Sequence, residues 1–182
     1  MRSKMHDLWL DFCATLLVWL QKWPCGYAVR HPAILGAVRC ISKPDQIIGP
    51  EGDPYLKRWF VIPRNPIFNI YLHQIVRSDD DRALHDHPWA NVSLVLRGRY
   101  FEVFEQGVPG QLPDRARERR TGSLTFRWPT SAHRLVVSSP CWSLFITGPR
   151  IRAWGFLCSH GWVHWKDFTK PGKPGEIGRG CG

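Results

Sequence analysis

The chain has 182 residues and a mass of 21.1 kDa, enough for one ordinary domain around a single core. With 43% hydrophobic, 13% aromatic and 22% charged residues, wholesale disorder is excluded, and ten Trp and 15 Pro beside two Met disfavour a helical bundle and suit short strands and turns. Twenty-five Lys and Arg against 15 Asp and Glu leave a formal net charge of +10, which points to an anionic partner: nucleic acid, an acidic lipid surface or a small anionic substrate.

Near the N-terminus, Trp9, Phe12, Cys13, Leu16, Leu20 and Trp23 recur at helical spacing opposite Asp11, Thr15 and Lys22. The spacing predicts a helix from Leu8 to Trp23, stopped by Pro24 and Gly26, so that residues 1–26 form an added N-terminal helical segment. Asp11 interrupts the apolar run, and the run falls short of the about 20 residues that span a bilayer. With no small-residue cleavage site after it, it reads as neither a spanning helix nor a signal peptide. It is expected to pack on the domain or against a second subunit, making a homodimer. An interfacial membrane helix is the lesser reading.

The six cysteines, Cys13, Cys25, Cys40, Cys141, Cys158 and Cys181, are scattered without a Cys-x-x-Cys pair. They read as reduced thiols of a cytoplasmic protein. Cys158, His160 and His164 form one local cluster with ligand chemistry, a weaker metal alternative to the one developed below.

A turn-rich stretch from Ile41 to Pro54 leads into short β-type runs: Arg58–Ile62, Ile67–Val76, Val92–Leu96, Arg99–Glu105, Leu124–Arg127, His133–Val137 and Cys141–Thr147. Seven short strands without long intervening helices predict an all-β sandwich or barrel over 55–168 rather than a parallel α/β sheet. The Gly-, Pro- and charge-rich stretch between Phe104 and Gly122 is expected as a loop, with Arg115, Arg117, Arg119 and Arg120 solvated or in contact with an anion. Residues 169–182 are expected as a flexible tail.

The most informative segment runs from Arg77 to Glu102. His85 and His87 are two residues apart at the start of a strand, so their side chains leave one face and can converge on one metal ion. A strand, Gly98 and a further strand follow, and downstream Gly122 leads through another strand to His133. Three imidazoles with open positions for water or substrate are a familiar catalytic metal set. Asp86, between the paired histidines, is expected to face away and orient a neighbouring loop. Asp79, Asp81 and Arg82 are expected to form a turn with a local ion pair.

These residues resemble the cupin superfamily. His85, His87 and Gly98 fall on its first motif, with Asn91 at the usual Glu and Asp79 at the usual first Gly. Gly122 and His133 have the spacing of the second motif, with Pro129 one position late and Thr130 at the inner Gly. The resemblance spans roughly residues 58 to 150 and implies a single jelly-roll barrel holding a divalent metal on His85, His87 and His133. Iron(II) is the favoured ion, with zinc(II), nickel(II) or manganese(II) as alternatives. With Asn91 in place of Glu, three neutral imidazoles leave the ion its full charge, which favours an anionic or thiolate substrate. Asn91 is a candidate fourth ligand or water anchor.

The three-histidine set is also similar to that of thiol dioxygenases, which implies an Arg clamp for a substrate carboxylate. Arg58, on the first expected strand, is the candidate, although no Tyr follows Tyr100 to match the catalytic Tyr of those enzymes. His73, on one face with Tyr71 and Ile75, is a candidate acid/base group or a satisfied structural histidine. Arg150 and Arg152 are candidates to close a pocket over an anion. The tryptophans Trp89, Trp128, Trp142, Trp154, Trp162 and Trp165 are expected in the core and at its rim. The leading expectation is an iron-dependent oxygenase of a small polar or anionic substrate. A non-catalytic ligand-binding cupin is the first rival, and a basic nucleic-acid-associated protein the second.

Overall fold

The computed structural model describes residues 43–78, 83–104, 115–173 and 175–182, together with Asp7, Asp11 and Thr15. The expected N-terminal helix, apart from Asp11 and Thr15, and the Asp79–Arg82 turn lie outside the described residues.

Among the described residues twelve strands follow one another: β1 Gln46–Ile48, β2 Leu56–Phe60, β3 Asn69–Ile75, β4 Leu84–His85, β5 Asn91–Arg97, β6 Arg99–Val103, β7 Ala116–Arg120, β8 Leu124–Arg127, β9 Arg134–Val136, β10 Cys141–Thr147, β11 Gly155–Cys158 and β12 Gly161–His164. A one-turn helix, α1 Trp165–Phe168, comes last. The seven expected strands are all present, and all the pairings are antiparallel. The expected loop around Arg115–Arg120 is corrected: it is the strand β7, paired with β6. It lies at a sheet edge, so its side chains have no need of the apolar alternation that marks a half-buried strand.

One sheet has the order β1-β2-β3-β10-β5-β8. Two three-stranded sheets, β12-β11-β4 and β7-β6-β9, meet where His85 and His133 form an antiparallel bridge, so they read as one surface, β12-β11-β4-β9-β6-β7. Two sheets of this kind facing each other make a jelly-roll sandwich. Gly98, at φ +89°, turns β5 into β6 where an added Cβ would come within 3.0 Å of the Pro140 carbonyl oxygen.

Between the sheets lies a core of Ile48, Leu56, Ile75, Val95, Tyr100 and Cys141. The other face of the first sheet is apolar as well. Trp59, Leu72, Leu144 and Leu94 line up across β2, β3, β10 and β5, and Trp59, Leu72 and Leu94 are buried. In β3 this leaves Tyr71 and His73 on one face and Leu72 on the opposite one.

Two further expectations are corrected at the C-terminus. Cys158 and Cys181 are joined by a disulfide, so these two are not reduced thiols, and the support that reduced thiols lent to a cytoplasmic location falls away. Cys141 is a free thiol, buried and pushed up to about 12 by that burial. Where 169–182 were expected as a flexible tail, the described residues 169–173 and 175–182 are tied back to the domain as a strap. Thr169 bridges Ile177, and the amides of Gly178 and Gly180 donate to the Phe168 carbonyl. No helix among the described residues is long and apolar enough to cross a membrane.

Candidate metal centre

His85 and His133 are fixed by backbone before any side chain acts. Each donates its amide to the other's carbonyl, at 2.9 and 3.0 Å, across the seam where the two smaller sheets join. Directly opposed residues of an antiparallel pair send their side chains to the same face. His87, two residues on from His85, is tied by its amide to the Pro129 carbonyl at 3.0 Å. The outcome is a trio in which one ligand atom from each of His85, His87 and His133 lies within 4.8 Å of the others.

The trio fits a single small divalent ion. Metal–nitrogen distances of about 2.0–2.1 Å in a tetrahedral set put neighbouring nitrogens about 3.3 Å apart, and His87 Nε2 lies 3.4 Å from His133 Nε2. The rings are splayed rather than stacked flat, with centroids 5.0 to 5.2 Å apart. Burial first, then the neighbouring imidazoles and Arg127, holds His87 and His133 well below the usual histidine range. Both are therefore neutral near pH 7, the state that can bind a metal.

Two carboxylates brace this centre, and arginines hold both. Asp86 is buried and accepts from the Gly155 amide at 2.8 Å, from Trp162 Nε1 at 3.1 Å and from Arg152. It faces away from the trio and pins the β11–β12 side, as the sequence suggested. Glu102, fully buried on β6, is a residue that sequence reasoning missed. It accepts from Arg127 Nε and from Arg119 Nε, the latter at 2.7 Å, and lies 3.7 Å from His133 Nδ1. One signal pointed to it: in RYFEV, alternation sets Glu102 on the inward face with Tyr100. A charge on an inward face demands a partner.

Two cavities meet at His85 and His87. The inner one, about 90 Å³, is lined by His73, Ser93, Tyr100, Arg127 and His133 among others, with no carboxylate. The outer one, about 580 Å³, opens past Tyr71, Trp154 and Ile177. Arg58, Tyr55, His85, His87 and Trp89 border both. Trp89 stacks on His87 with centroids 4.9 Å apart.

Arg58, expected on the first strand as a candidate clamp, lies on β2 and borders both cavities. Its Nε donates to His73 Nε2 at 2.9 Å, its Nη1 donates to Gln46 Oε1 at 3.1 Å, and its guanidinium lies 4.8 Å over the Tyr71 ring. Burial lowers its pKa from the ordinary value, and among the described residues no carboxylate pairs with it. His73 is buried between Tyr71 and Phe145, and burial with the Arg58 charge holds it well below its usual range. It accepts from Arg58, so it acts on the site through that guanidinium.

The remaining expectations separate. Asn91 is 2% exposed and borders neither cavity; its Oδ1 accepts from Arg127 Nη1 at 3.3 Å, so it is not drawn into the trio. Arg150 borders the outer cavity, whereas Arg152 is committed to Asp86 and the Pro129 carbonyl. Cys158 is consumed by its disulfide, which removes the Cys158, His160 and His164 alternative. Of the expected core and rim tryptophans, Trp128 and Trp162 are exposed, at 65% and 42%.

No protein-family model and no curated protein sequence matches the chain. Similar solved structures include DMSP lyase DddQ from Ruegeria pomeroyi, 16% identical at a TM-score of 0.44 over 59% of this chain and 54% of that one. The EutQ protein of Clostridium difficile is 12% identical at a TM-score of 0.42 over 54% of this chain and 71% of that one. A cupin-2 domain protein from Shewanella frigidimarina is 16% identical at a TM-score of 0.40 over 52% of this chain and 80% of that one. On this chain's own topology the two facing sheets make a jelly-roll sandwich, with the three histidines where the two smaller sheets join.

Proposed function

We propose that this cupin-type chain is a metal-dependent enzyme of a small organic anion, with the metal on His85, His87 and His133 and the anion on Arg58. Iron-dependent oxygenation is the reaction class we favour. One observation carries the proposal: a half-buried guanidinium whose side-chain partners among the described residues are neutral borders the inner cavity with all three imidazoles and the outer one with His85 and His87. A charge drawn this far out of water is costly until an anion joins it. A bound divalent ion would supply a Lewis-acid centre with open positions for oxygen ligands.

This chain's own residues then bind and orient. Arg58, held at a fixed angle by His73 and Gln46, presents its guanidinium beside the centre. Trp89 and Phe145 form an apolar wall next to His87, which limits water at the reacting end. Tyr100 is kept a phenol by burial and bonds to Arg127 and Ser93. Among the described residues no carboxylate borders the inner cavity, so a reaction that leans on a carboxylate base is disfavoured there. Oxygenation asks less proton traffic of the protein.

Metal content and oxygen uptake test this reading. Protein purified without oxygen is expected to carry stoichiometric metal, iron foremost, and His85→Ala to carry little. Wild-type protein without stoichiometric metal after both aerobic and anaerobic purification would sink the proposal. Metal bound without oxygen consumption across candidate carboxylates would favour a non-catalytic binding cupin. The basic nucleic-acid reading predicts heparin retention that weakens steeply with salt.

A further inference from the structure

The outer cavity reaches well beyond the histidines, and its far wall is the C-terminal strap. Thr169, Gly175, Glu176 and Ile177 border it, together with Trp165 and Phe168 of α1. The strap is held in three independent ways. The Cys158–Cys181 disulfide ties its end to β11. Lys170 donates its amide to the Glu176 carbonyl at 3.0 Å, and the Gly178 amide donates to Phe168 at 2.9 Å. Gly175, at φ +82°, lies directly on the end of β1, where an added Cβ would sit 2.6 Å from Ile48 Cγ2 and 2.8 Å from the Gly49 nitrogen. Only glycine lets the strap backbone approach so closely.

The charge of this cavity is one-sided. Arg58, Arg64 and Arg150 border it. Arg58 lies over the Tyr71 ring and Arg64 over the neighbouring Phe60 ring, at 4.8 and 5.6 Å. Its one bordering carboxylate, Glu176, is already engaged by Lys170 and Lys173, at 3.2 and 3.7 Å. The rest of the wall offers apolar and aromatic surface from Trp89, Trp154, Phe156 and Ile177. Its volume of about 580 Å³ falls within the range of about 300–1,000 Å³ typical of sites for drug-sized molecules. An acetate-sized anion would leave most of it unfilled.

We infer that the outer cavity takes an organic anion with an apolar body of at least aromatic-ring size, its anionic end at Arg58 and its body against the disulfide-clipped strap at Ile177. The inference rests on the Arg58 part of the function proposed above and adds the size and character of the ligand's body. Recognition is then shared between a charged floor and an apolar wall that the chain builds last.

The test uses full-length metal-free protein and three probes: acetate, 3-phenylpropanoate and its neutral amide, with binding followed by the fluorescence of the bordering tryptophans. 3-Phenylpropanoate is expected to bind about tenfold or more tightly than either of the others. Ile177→Ser is expected to weaken 3-phenylpropanoate about fivefold and leave acetate unchanged. Should that variant fail to fold, reducing the disulfide of wild-type protein with dithiothreitol is the second arm, with the same loss of preference over acetate. Equal affinity for acetate and 3-phenylpropanoate, with the acid still preferred over the amide, overturns this inference alone. Equal affinity for acid and amide, or no binding of any probe, overturns the Arg58 reading with it.

Discussion

Arg127 on β8 and Arg58 on β2 border the same inner cavity from two strands of one sheet, yet they are held in opposite ways. Arg127 donates to Glu102 and Asn91 and sits beside the Tyr100 hydroxyl, and Glu102 is shared with Arg119. Arg58 donates to His73 and Gln46, both neutral. A buried cation whose carboxylate belongs to the fold is part of the architecture. One without such a carboxylate leaves its charge for something that arrives. The same contrast divides the other arginines: Arg152 is spent on Asp86, while Arg64 and Arg150 border the outer cavity.

The sharpest way to break the comparison is Glu102→Gln. It leaves Arg127 without its carboxylate and Arg119 without its partner, in a position that no water reaches. Removing one member of a buried ion pair costs about 3–5 kcal/mol, so the urea midpoint should fall by an amount of that order. A loss under about 1 kcal/mol would put Glu102 among the exchangeable residues.

Acidification should act on the histidines between the two arginines. Burial holds His73, His87 and His133 well below the usual range, with Arg58 adding to the effect on His73 and Arg127 to that on His133. In the unfolded chain these groups take up protons near about 6.5. Below that pH the unfolded state binds more protons, so the stability they contribute is complete above about 6.5 and is lost as pH falls. Between about pH 7.5 and 5.5 the three together should lower stability by up to a few kcal/mol, on the order of 1 kcal/mol each. Urea titrations of metal-free protein at both pH values check this, and His73→Gln should remove about a third of the slope.

The strap extends the contrast to a covalent tie. Cys158 and Cys181 are 23 residues apart in sequence, and closing a loop of that length stabilises by about 3 kcal/mol in the chain-entropy account. Cys181→Ser should lower the thermal midpoint accordingly, and so should reductant on the wild type. A midpoint indifferent to both would mean that the strap is held by its backbone bonds and by Gly175 alone.

How much of this was legible follows from where each signal resides. His85, His87 and His133 could be read because two lie on one strand face and the third follows a glycine at a set distance, both local patterns. Arg58 became a candidate only through the resemblance to thiol dioxygenases, with its place on the first expected strand. Glu102 offered only its inward alternation with Tyr100, and what it holds depends on Arg119 and Arg127, residues 17 and 25 positions away. β7 was hidden because an edge strand tolerates ARERR. The disulfide and the strap were hidden because a Gly- and Pro-rich composition is shared by disordered tails and by tight turns, and only a distant partner distinguishes them.

The smallest expected effect is the most discriminating. Arg58→Gln removes a guanidinium that no described carboxylate compensates, while its amide can still donate toward His73 Nε2. The desolvation burden on Arg58 is relieved and a hydrogen bond is kept, so stability should change by no more than about 1 kcal/mol in either direction. That is a small fraction of the loss expected for Glu102→Gln, from a side chain that borders the same cavity. If unfolding shows the two substitutions equally damaging, Arg58 belongs to the architecture and its charge has a partner within the fold. If Arg58→Gln leaves the urea midpoint in place, the charge is held in the barrel for a ligand, and stability is the readout that separates those roles.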